Sequence, residues 1–470
     1  MQLSSILAST YTYRQLGSKR LQAAIGLTAA GLAAAVFLWF AGDGMRAYFT
    51  PDDVMNLYTA VFSRATAWDR PAGTWIYRAL FQQFGLNPLP YRAACFALLG
   101  TNLWLLWTVC RKLSGSVEVA GVAILLGAYH AHLADLYYST GTIFDLLCFL
   151  FYFGALRVYM WARERPSRLG VGLTLALYLG ALAAKEIAVT LPLFLLLYDL
   201  LYHPPSRRRD ALPWVGREAL RVGPAVLVTA AYVYYKTMGA GRMTGNSDYL
   251  PAFSWQVLTY NWRHYAHDLF YGASQFAGWR IVALWLAVIG LAAVLRRRDA
   301  WMGAALCLLG ILPVVLIPER GFYAVYLTLP GWYLLGARAL ASARERAFPH
   351  AGAVGPICLL LVLAACLVPL HARQKPRGNT WVSEAYQSVR RTLEPLQHYQ
   401  VPRGAAVLVV DDPYAADDSI LLGIFKLRYR DENITLRRGG AREGEHYDTI
   451  FGYGGGGTAV PSSLVLTKGE

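Results

Sequence analysis

Two adjacent carboxylates, Asp52 and Asp53, follow the first apolar run of this chain. That run, at about 21–41, is long enough to cross a bilayer, which needs roughly 20 apolar residues. Lys19 and Arg20 precede it, and basic flanks tend to stay in the cytoplasm. Adjacent carboxylates repel each other and bind protons or cations, so they are seldom kept for stability alone. The sequence therefore predicts chemistry by this pair on the extracytoplasmic side.

Three roles are open to the pair. One carboxylate could act as general base and take the proton of an acceptor hydroxyl during glycosyl transfer. Asp52 and Asp53 together could hold a divalent cation against a phosphate leaving group, although the sequence requires no cofactor. The third role is a helix cap before Val54, since aspartate is a favoured N-cap residue. A cap needs one carboxylate and the site offers two, which favours chemistry.

Three cationic side chains are predicted near the same face of the membrane. Arg70 lies in the loop that holds the acidic pair, Lys185-Glu186 joins two apolar stretches, and Glu319-Arg320 follows another. Arginine and lysine bind phosphate groups well. If they converge, the three cations would hold the phosphate of a lipid-linked sugar. The alternatives are a solvated arginine and adjacent opposite charges that neutralise each other.

A further candidate is His132, which with His130 and Asp135 lies near the outer end of the third apolar stretch. Ionisable groups at membrane depth are candidates for function. Residues two apart do not share a helix face, so the two histidines are poorly spaced for a metal. We expect a substrate or hydrogen-bonding role for one of them, with an interfacial histidine of no specific role as the alternative.

Composition indicates a polytopic membrane protein. The chain is 56% hydrophobic and 16% charged, against about 25% charged in soluble domains. Its net charge of +15 would suit nucleic acid, but the arginines cluster between apolar runs, as in Arg207-Arg208-Arg209 and Arg296-Arg297-Arg298. Such clusters are typical topology signals, and we expect no nucleic-acid partner.

The apolar periodicity predicts about eleven spans. They are centred on 21–41, 91–110, 116–134, 141–160, 169–184, 187–202, 222–237, 278–295, 300–317, 322–341 and 352–370. The basic clusters place the N-terminus in the cytoplasm, and the odd number of spans places the C-terminus outside. Two outer loops are large, 42–90 and 238–277. The second is rich in Tyr and Trp, which predicts a helix lying on the outer surface or an aromatic belt with no other role.

The chain divides by composition into a transmembrane domain, 1–373, and a small extracytoplasmic α/β domain, 374–470. Strand-like runs occur at 406–410, 434–436 and 449–451, with helical spacing at 419–429. The acidic pairs Asp411-Asp412 and Asp417-Asp418 fall beside the first strand, where we interpret them as ordinary turn residues.

The candidate motifs together resemble the C-type glycosyltransferases, and most closely bacterial relatives of the transmembrane-and-TPR, protein O-mannosyltransferase-like family. In chain order the matching stretches are Asp52-Asp53, Arg70-Pro71, Phe84-Gly85-Leu86-Asn87-Pro88 with Tyr91, His132 with Gly141 and Asp145-Leu146-Leu147, Lys185-Glu186 with Leu191-Pro192, and Pro318-Glu319-Arg320 with Tyr323 and Leu329-Pro330. The chain departs from the family at Ala134, where a glutamate is expected, and at Gly321-Phe322, which interrupts an Arg-Tyr pairing. It also has no TPR array.

The resemblance implies a C-type fold and an inverting transferase of the bacterial inner membrane. It would move a hexosyl, mannosyl-like, or pentosyl unit from a polyprenyl-phosphate donor to an extracytoplasmic protein, lipid or glycan. Asp52 or Asp53 would be catalytic, and the ligand-binding residues would be Arg70, His132, Lys185, Glu186, Glu319 and Arg320. Two alternatives remain, a catalytically silent relative that serves in binding or assembly and a lipid-linked saccharide transporter.

Overall fold

The computed structural model describes residues 2–62, 70–165, 167–205, 210–238, 249–272, 278–352, 354–410, 414, 418–440, 445–453 and 459–461. Asp411, Asp412 and Asp417 lie outside the described residues. The helices of the first half are α1 Gln2–Ala41, α2 Pro51–Phe62, α3 Pro71–Phe84, α4 Pro88–Ser114, α5 Val117–Gly127, α6 Ala134–Tyr138, α7 Ile143–Glu164, α8 Arg168–Ala184 and α9 Leu191–Tyr202.

The later helices are α10 Ala211–Met238, α11 Trp255–Leu269, α12 Gly278–Leu295, α13 Arg298–Leu309, α14 Leu312–Val315, α15 Leu329–Ala347, α16 Val354–Leu393 and α17 Asp418–Tyr429. The strands are β1 Ala406–Val410, β2 Thr435–Arg438, β3 Thr449–Tyr453 and β4 Ala459–Pro461. The protein is therefore mostly helical, with a few strands near its C-terminus, as predicted.

Several helices are long and apolar enough to cross a membrane. Within the described part of the chain, six qualify: Lys19–Arg46, Pro88–Ser114, Ile143–Glu164, Gly278–Leu295, Arg298–Val315 and Val354–His398. Val117–Gly127 and Ala131–Tyr138, bent by 63°, would form a seventh as one broken span. Large apolar side chains such as Leu27 and Trp39 are exposed on α1, as expected for contact with lipid. The chain is a multi-pass membrane protein.

Each of the eleven predicted spans coincides with a helical segment. Several of these segments are interrupted: the span predicted at 187–202 begins with a 3₁₀ turn, Glu186–Thr190, before α9. The span predicted at 322–341 likewise begins with the turn Phe322–Val325 before α15. The aromatic loop predicted to be an outer one contains α11, with Trp262 and Tyr265 on its buried face and Trp255 exposed.

The described chain forms two compact units. The first comprises Met1–Gly42, Ala97–Leu133 and Asp145–Pro376. In this unit α13 packs on α15, where a side-chain carbon at Gly331 would come within 2.6 Å of Leu306. Small residues at such a crossing let two membrane helices approach closely. The buried ion pair of Arg338 with Asp299, 2.5 Å apart, joins the same two helices.

The second unit comprises Asp43–Phe96, Ala134–Phe144 and Arg377–Glu470. Its sheet has the order β2-β1-β3-β4, with β1 parallel to both β2 and β3 and with β4 antiparallel to β3. In register, Ala406 lies opposite Thr435 and Val407 opposite Thr449. Helix α17 connects β1 to β2 and packs on α2, where Gly423 lies close to Val54 and Tyr58.

Candidate active site

The first turn of α2 is stabilised by a reciprocal capping box. The Asp53 backbone N–H donates to Thr50 Oγ1 at 3.3 Å, and the Thr50 N–H donates to Asp53 Oδ2 at 2.8 Å. Thr50 therefore precedes the helix as its cap, and Pro51 occupies the first helical position, where its missing N–H costs nothing. The cap expected before Val54 lies three residues earlier, and Asp53 contributes to it from inside the helix.

Asp53 also binds a distant segment of the second unit. Its Oδ1 accepts hydrogen bonds from Ser139 Oγ at 2.7 Å and from the Gly141 N–H at 2.5 Å. Arg92 Nη2 lies 3.5 Å from Oδ2, and both side chains are fully buried. The guanidinium of Arg92 also donates to the main-chain carbonyls of Ala47 and Tyr48. Both carboxylate oxygens of Asp53 are thus engaged by donors inside the protein.

Asp52, in contrast, is exposed to solvent in the same helical turn. Consecutive helical residues point about 100° apart, so the neighbouring carboxylates face different surroundings. Both carboxylates lie in the first turn of α2, at the positive end of the helix dipole. One carboxylate of the pair is therefore buried and the other is exposed.

Arg70 and Tyr77 belong to the same unit as the acidic pair. Arg70 caps α3 ahead of Pro71, its carbonyl accepts from Thr74 Oγ1 at 3.0 Å, and its guanidinium carbon lies 5.8 Å from the centre of the Phe144 ring. The Tyr77 hydroxyl donates to Thr140 Oγ1. Burial and the nearby charge of Asp53 raise the pKa of Tyr77, so its hydroxyl stays protonated.

Lys185 and Glu186, in the first unit, pair with other residues. Lys185 Nζ lies 2.5 Å from Asp145 Oδ1 and 5.0 Å from the centre of the Tyr323 ring. Glu186 Oε1 lies 3.7 Å from Lys236 Nζ. Each member of the Lys-Glu pair therefore has its own partner of opposite charge, and Lys185 is held in a defined position.

His132 and Glu319, also in the first unit, belong to one polar cluster around Asp268 of α11. His132 Nδ1 lies 3.2 Å from Asp268 Oδ1, and His264 Nε2 lies 3.6 Å from Oδ2. The other ring nitrogen of His264 lies 3.2 Å from Glu319 Oε1. Burial by itself would raise the pKa of Asp268, but its contacts with His132, His264 and His267 leave that pKa lowered.

Arg320 lies beside this cluster. Its guanidinium carbon is 4.5 Å from the centre of the Tyr249 ring, and its backbone N–H donates to the Tyr265 hydroxyl at 3.2 Å. Burial raises the pKa of Tyr265 to about 12, so that hydroxyl is neutral at physiological pH. Aromatic rings thus accompany both Arg320 and Lys185, an arrangement that favours a cation.

Several residues of these sites were missed in the sequence. A buried arginine in an apolar run, such as Arg92, signals a buried anionic partner, and Thr50 with Asp53 has the spacing of a capping box. Ser139 carried no such signal, because its partner Asp53 is 86 positions away in the chain. Among the described residues, no group of three or more His, Cys, Asp or Glu side chains could hold a metal ion.

Comparison with known proteins finds a likeness among solved structures. No protein-family model matches the chain, and no curated protein matches its sequence. Among solved structures it is similar to ArnT from Cupriavidus metallidurans bound to undecaprenyl phosphate, with 15% sequence identity and a TM-score of 0.47. That similarity covers 87% of this chain and 85% of the ArnT chain.

Proposed function

We propose that this protein is an inverting glycosyltransferase of the C-type fold in a bacterial inner membrane. It would transfer one sugar from a polyprenyl-phosphate-linked donor to an acceptor on the extracytoplasmic side. The observation that carries this proposal is the difference in burial between the two residues of the acidic pair. Asp53 is buried and hydrogen-bonded through both oxygens, and Asp52 is exposed at the start of α2. The order of the motifs along the chain supports the same class of reaction.

In the proposed reaction Asp52 is the general base. It takes the proton of the acceptor hydroxyl while the acceptor oxygen attacks the anomeric carbon of the donor sugar. The bond from that carbon to the phosphate oxygen breaks, and its electron pair leaves with the lipid phosphate. Attack on the face opposite the leaving group inverts the configuration. Asp53 positions Asp52 by fixing the first turn of α2.

The negative charge that grows on the leaving phosphate needs cations. Arg70, Lys185 and Arg320 are the proposed phosphate-binding residues, because charge-assisted contacts to phosphate are the strong ones. Lys185 is oriented by Asp145 and Tyr323. His132, Glu186 and Glu319 are proposed as supporting residues on the substrate side, through the ion pairs in which they take part.

The test compares two neighbouring variants in the purified full chain, using undecaprenyl-phosphate-linked sugars as donors. The native product is first identified by mass spectrometry of lipids and saccharides from a deletion strain. Asp52→Asn should lose roughly 10²–10⁴-fold in turnover while donor binding and thermal stability are kept. Glu432→Gln, which changes another exposed carboxylate of the second unit, is the matched control and should keep full activity.

Two outcomes would contradict the assignment. Full activity of a well-folded Asp52→Asn variant would remove Asp52 from the reaction and favour a binding or assembly role for the protein. Inhibition of the wild type by EDTA, reversed by added Mg²⁺ or Mn²⁺, would instead assign Asp52 to a cation. A general base that needs no metal predicts activity unchanged by the chelator.

A further inference from the structure

A cavity of about 470 Å³ in the second unit lies outside the proposed catalytic residues. It opens between the C-terminal end of α3 and the C-terminal end of α17. Its lining includes Tyr48, Phe81, Gly85, Asn87, Arg428 and Arg430. The Phe-Gly-Leu-Asn-Pro run at 84–88, one of the motifs behind the family resemblance, therefore forms one wall of the cavity. The proposed reaction gives this run no role.

Two guanidinium groups give the cavity a positive charge. Arg430 is exposed, and its guanidinium carbon lies 5.3 Å from the centre of the buried Phe81 ring. Arg428 is held by donation to the main-chain carbonyls of Leu396, at 3.3 Å, and Gln397, at 3.1 Å. Within the described chain, neither guanidinium has a carboxylate at ion-pair distance. The charge of both arginines is thus open to an anionic ligand.

The other walls supply neutral donors and an aromatic surface. Asn87 Oδ1 accepts from the Leu89 N–H at 3.1 Å, which directs its carbonyl oxygen to the start of α4. Burial, followed by the charge of Glu394, raises the pKa of Tyr48 to about 12. The Tyr48 hydroxyl therefore stays protonated at neutral pH and can donate. Donors and cations predominate among the polar groups, as expected of a site for an oxyanion.

The cavity is linked to the acidic pair through one residue. Arg92, which contacts the Asp53 carboxylate, also donates to the main-chain carbonyl of Tyr48. Tyr48 precedes Asp52 by four positions, so a ligand in the cavity contacts the segment that leads into α2. The cavity volume lies within the range typical of small-molecule sites, roughly 300–1,000 Å³, and suits one or two sugar rings.

We propose that this cavity binds the anionic part of the acceptor, a saccharide that carries a phosphate or a carboxylate group. That this saccharide is the acceptor rests on the proposed function, whereas its binding in the cavity does not. The two arginines bind the oxyanion, and Phe81 and Tyr48 contact the sugar. The acceptor hydroxyl belongs to another part of the same ligand.

Isothermal titration of the full chain in detergent tests the proposal with three probes. Glucose 6-phosphate and glucuronate carry the two candidate anions, and glucose is the neutral control. At millimolar concentration we expect binding of at least one anion and none of glucose, and the better anion identifies the charged group. Arg430→Gln should weaken that binding by about tenfold or more, since it removes a charge-assisted contact. Leu86→Trp, which fills the cavity, should abolish it.

Arg391→Gln is the matched control, because Arg391 is an exposed arginine of the same unit that does not line the cavity. It should bind as the wild type does. Each variant is checked for folding by thermal unfolding. Equal binding of glucose and the anions, no binding of either anion, or unchanged binding in folded Arg430→Gln and Leu86→Trp would each overturn the proposal.

The experiment also separates this inference from the proposed function. Asp52→Asn should bind the anionic probe within about twofold of the wild type, since Asp52 does not line the cavity. Full transfer activity of Asp52→Asn would refute the proposed base and leave the binding result unaffected. Loss of probe binding in folded Asp52→Asn would mean that the probe binds at the acidic pair through its sugar hydroxyls, and would overturn the cavity proposal.

Discussion

Ser139 Oγ donates a buried hydrogen bond to Asp53 Oδ1 at 2.7 Å, although the two residues are 86 positions apart in the sequence. This bond joins the start of α2 to the segment that follows α6. Gly141 donates to the same oxygen, and a side-chain carbon at Gly141 would lie 3.3 Å from it. Asp53 thus stabilises the second unit, and this explains why two adjacent aspartates can have different roles.

Asp53→Asn should destabilise the protein far more than Asp52→Asn. An asparagine has one acceptor oxygen and one NH₂ group, so at Asp53 the NH₂ would face a donor in either orientation. It would also leave Arg92 buried without its anionic partner, a change that costs roughly 3–5 kcal/mol. Asp52→Asn should stay within about 0.5 kcal/mol of the wild type, since the site is exposed. Thermal unfolding in detergent measures both, and equal stabilities would contradict the role given to Asp53.

Lys185→Met should weaken donor binding by roughly ten- to a hundredfold, the effect of losing a charge-assisted phosphate contact. It also leaves Asp145 without its ion-pair partner, so some loss of stability is expected. The double variant Lys185→Met/Asp145→Asn should restore stability and still bind a polyprenyl-phosphate analogue weakly. Recovery of normal affinity in the double variant would make Lys185 a purely structural residue.

Asp268 should stabilise the protein at neutral pH but not in strong acid. Its pKa is lowered in the folded protein, so its contribution is fully present above its ordinary pKa, about 3.9. That contribution is lost as the pH falls through the lowered value. The unfolding temperature of Asp268→Asn should therefore lie below that of the wild type from pH 7 down to about pH 4. The two temperatures should converge at lower pH. A difference between the two unfolding temperatures that stays constant below about pH 4 would argue against an ionised Asp268.

Reporter fusions should place Asp53, Lys185 and the C-terminal residue outside the cytoplasm. The expectation comes from the arginine clusters, which favour the cytoplasmic side. Two reporters are used at each position, one active only outside and one active only inside. Fusions after Arg165 and Arg298, which belong to predicted inner segments, are the matched controls. A cytoplasmic signal at the C-terminus would contradict the odd number of spans.

The sequence by itself determined where most of the helices and strands form, although α3 and β4 were not predicted. Apolar runs predicted a helical segment at each of the eleven spans, because backbone groups in lipid must be satisfied within the helix. The strand expected at 406–410 coincides with β1, and the helix expected at 419–429 coincides with α17. These elements depend on local composition and periodicity, which can be read along the chain.

Only the tertiary structure decided what the candidate side chains contact. Asp52 and Asp53 are identical residues in one helical turn, and the sequence favoured neither of them clearly. Asp53 is buried because Arg92 and Ser139 reach it from segments 39 and 86 positions away. The partners of Lys185 and His132 are also distant in the chain, since Asp145 lies 40 positions from Lys185 and Asp268 lies 136 positions from His132. Such contacts depend on which helix faces pack together, and the free energy of that packing is not encoded in any single segment.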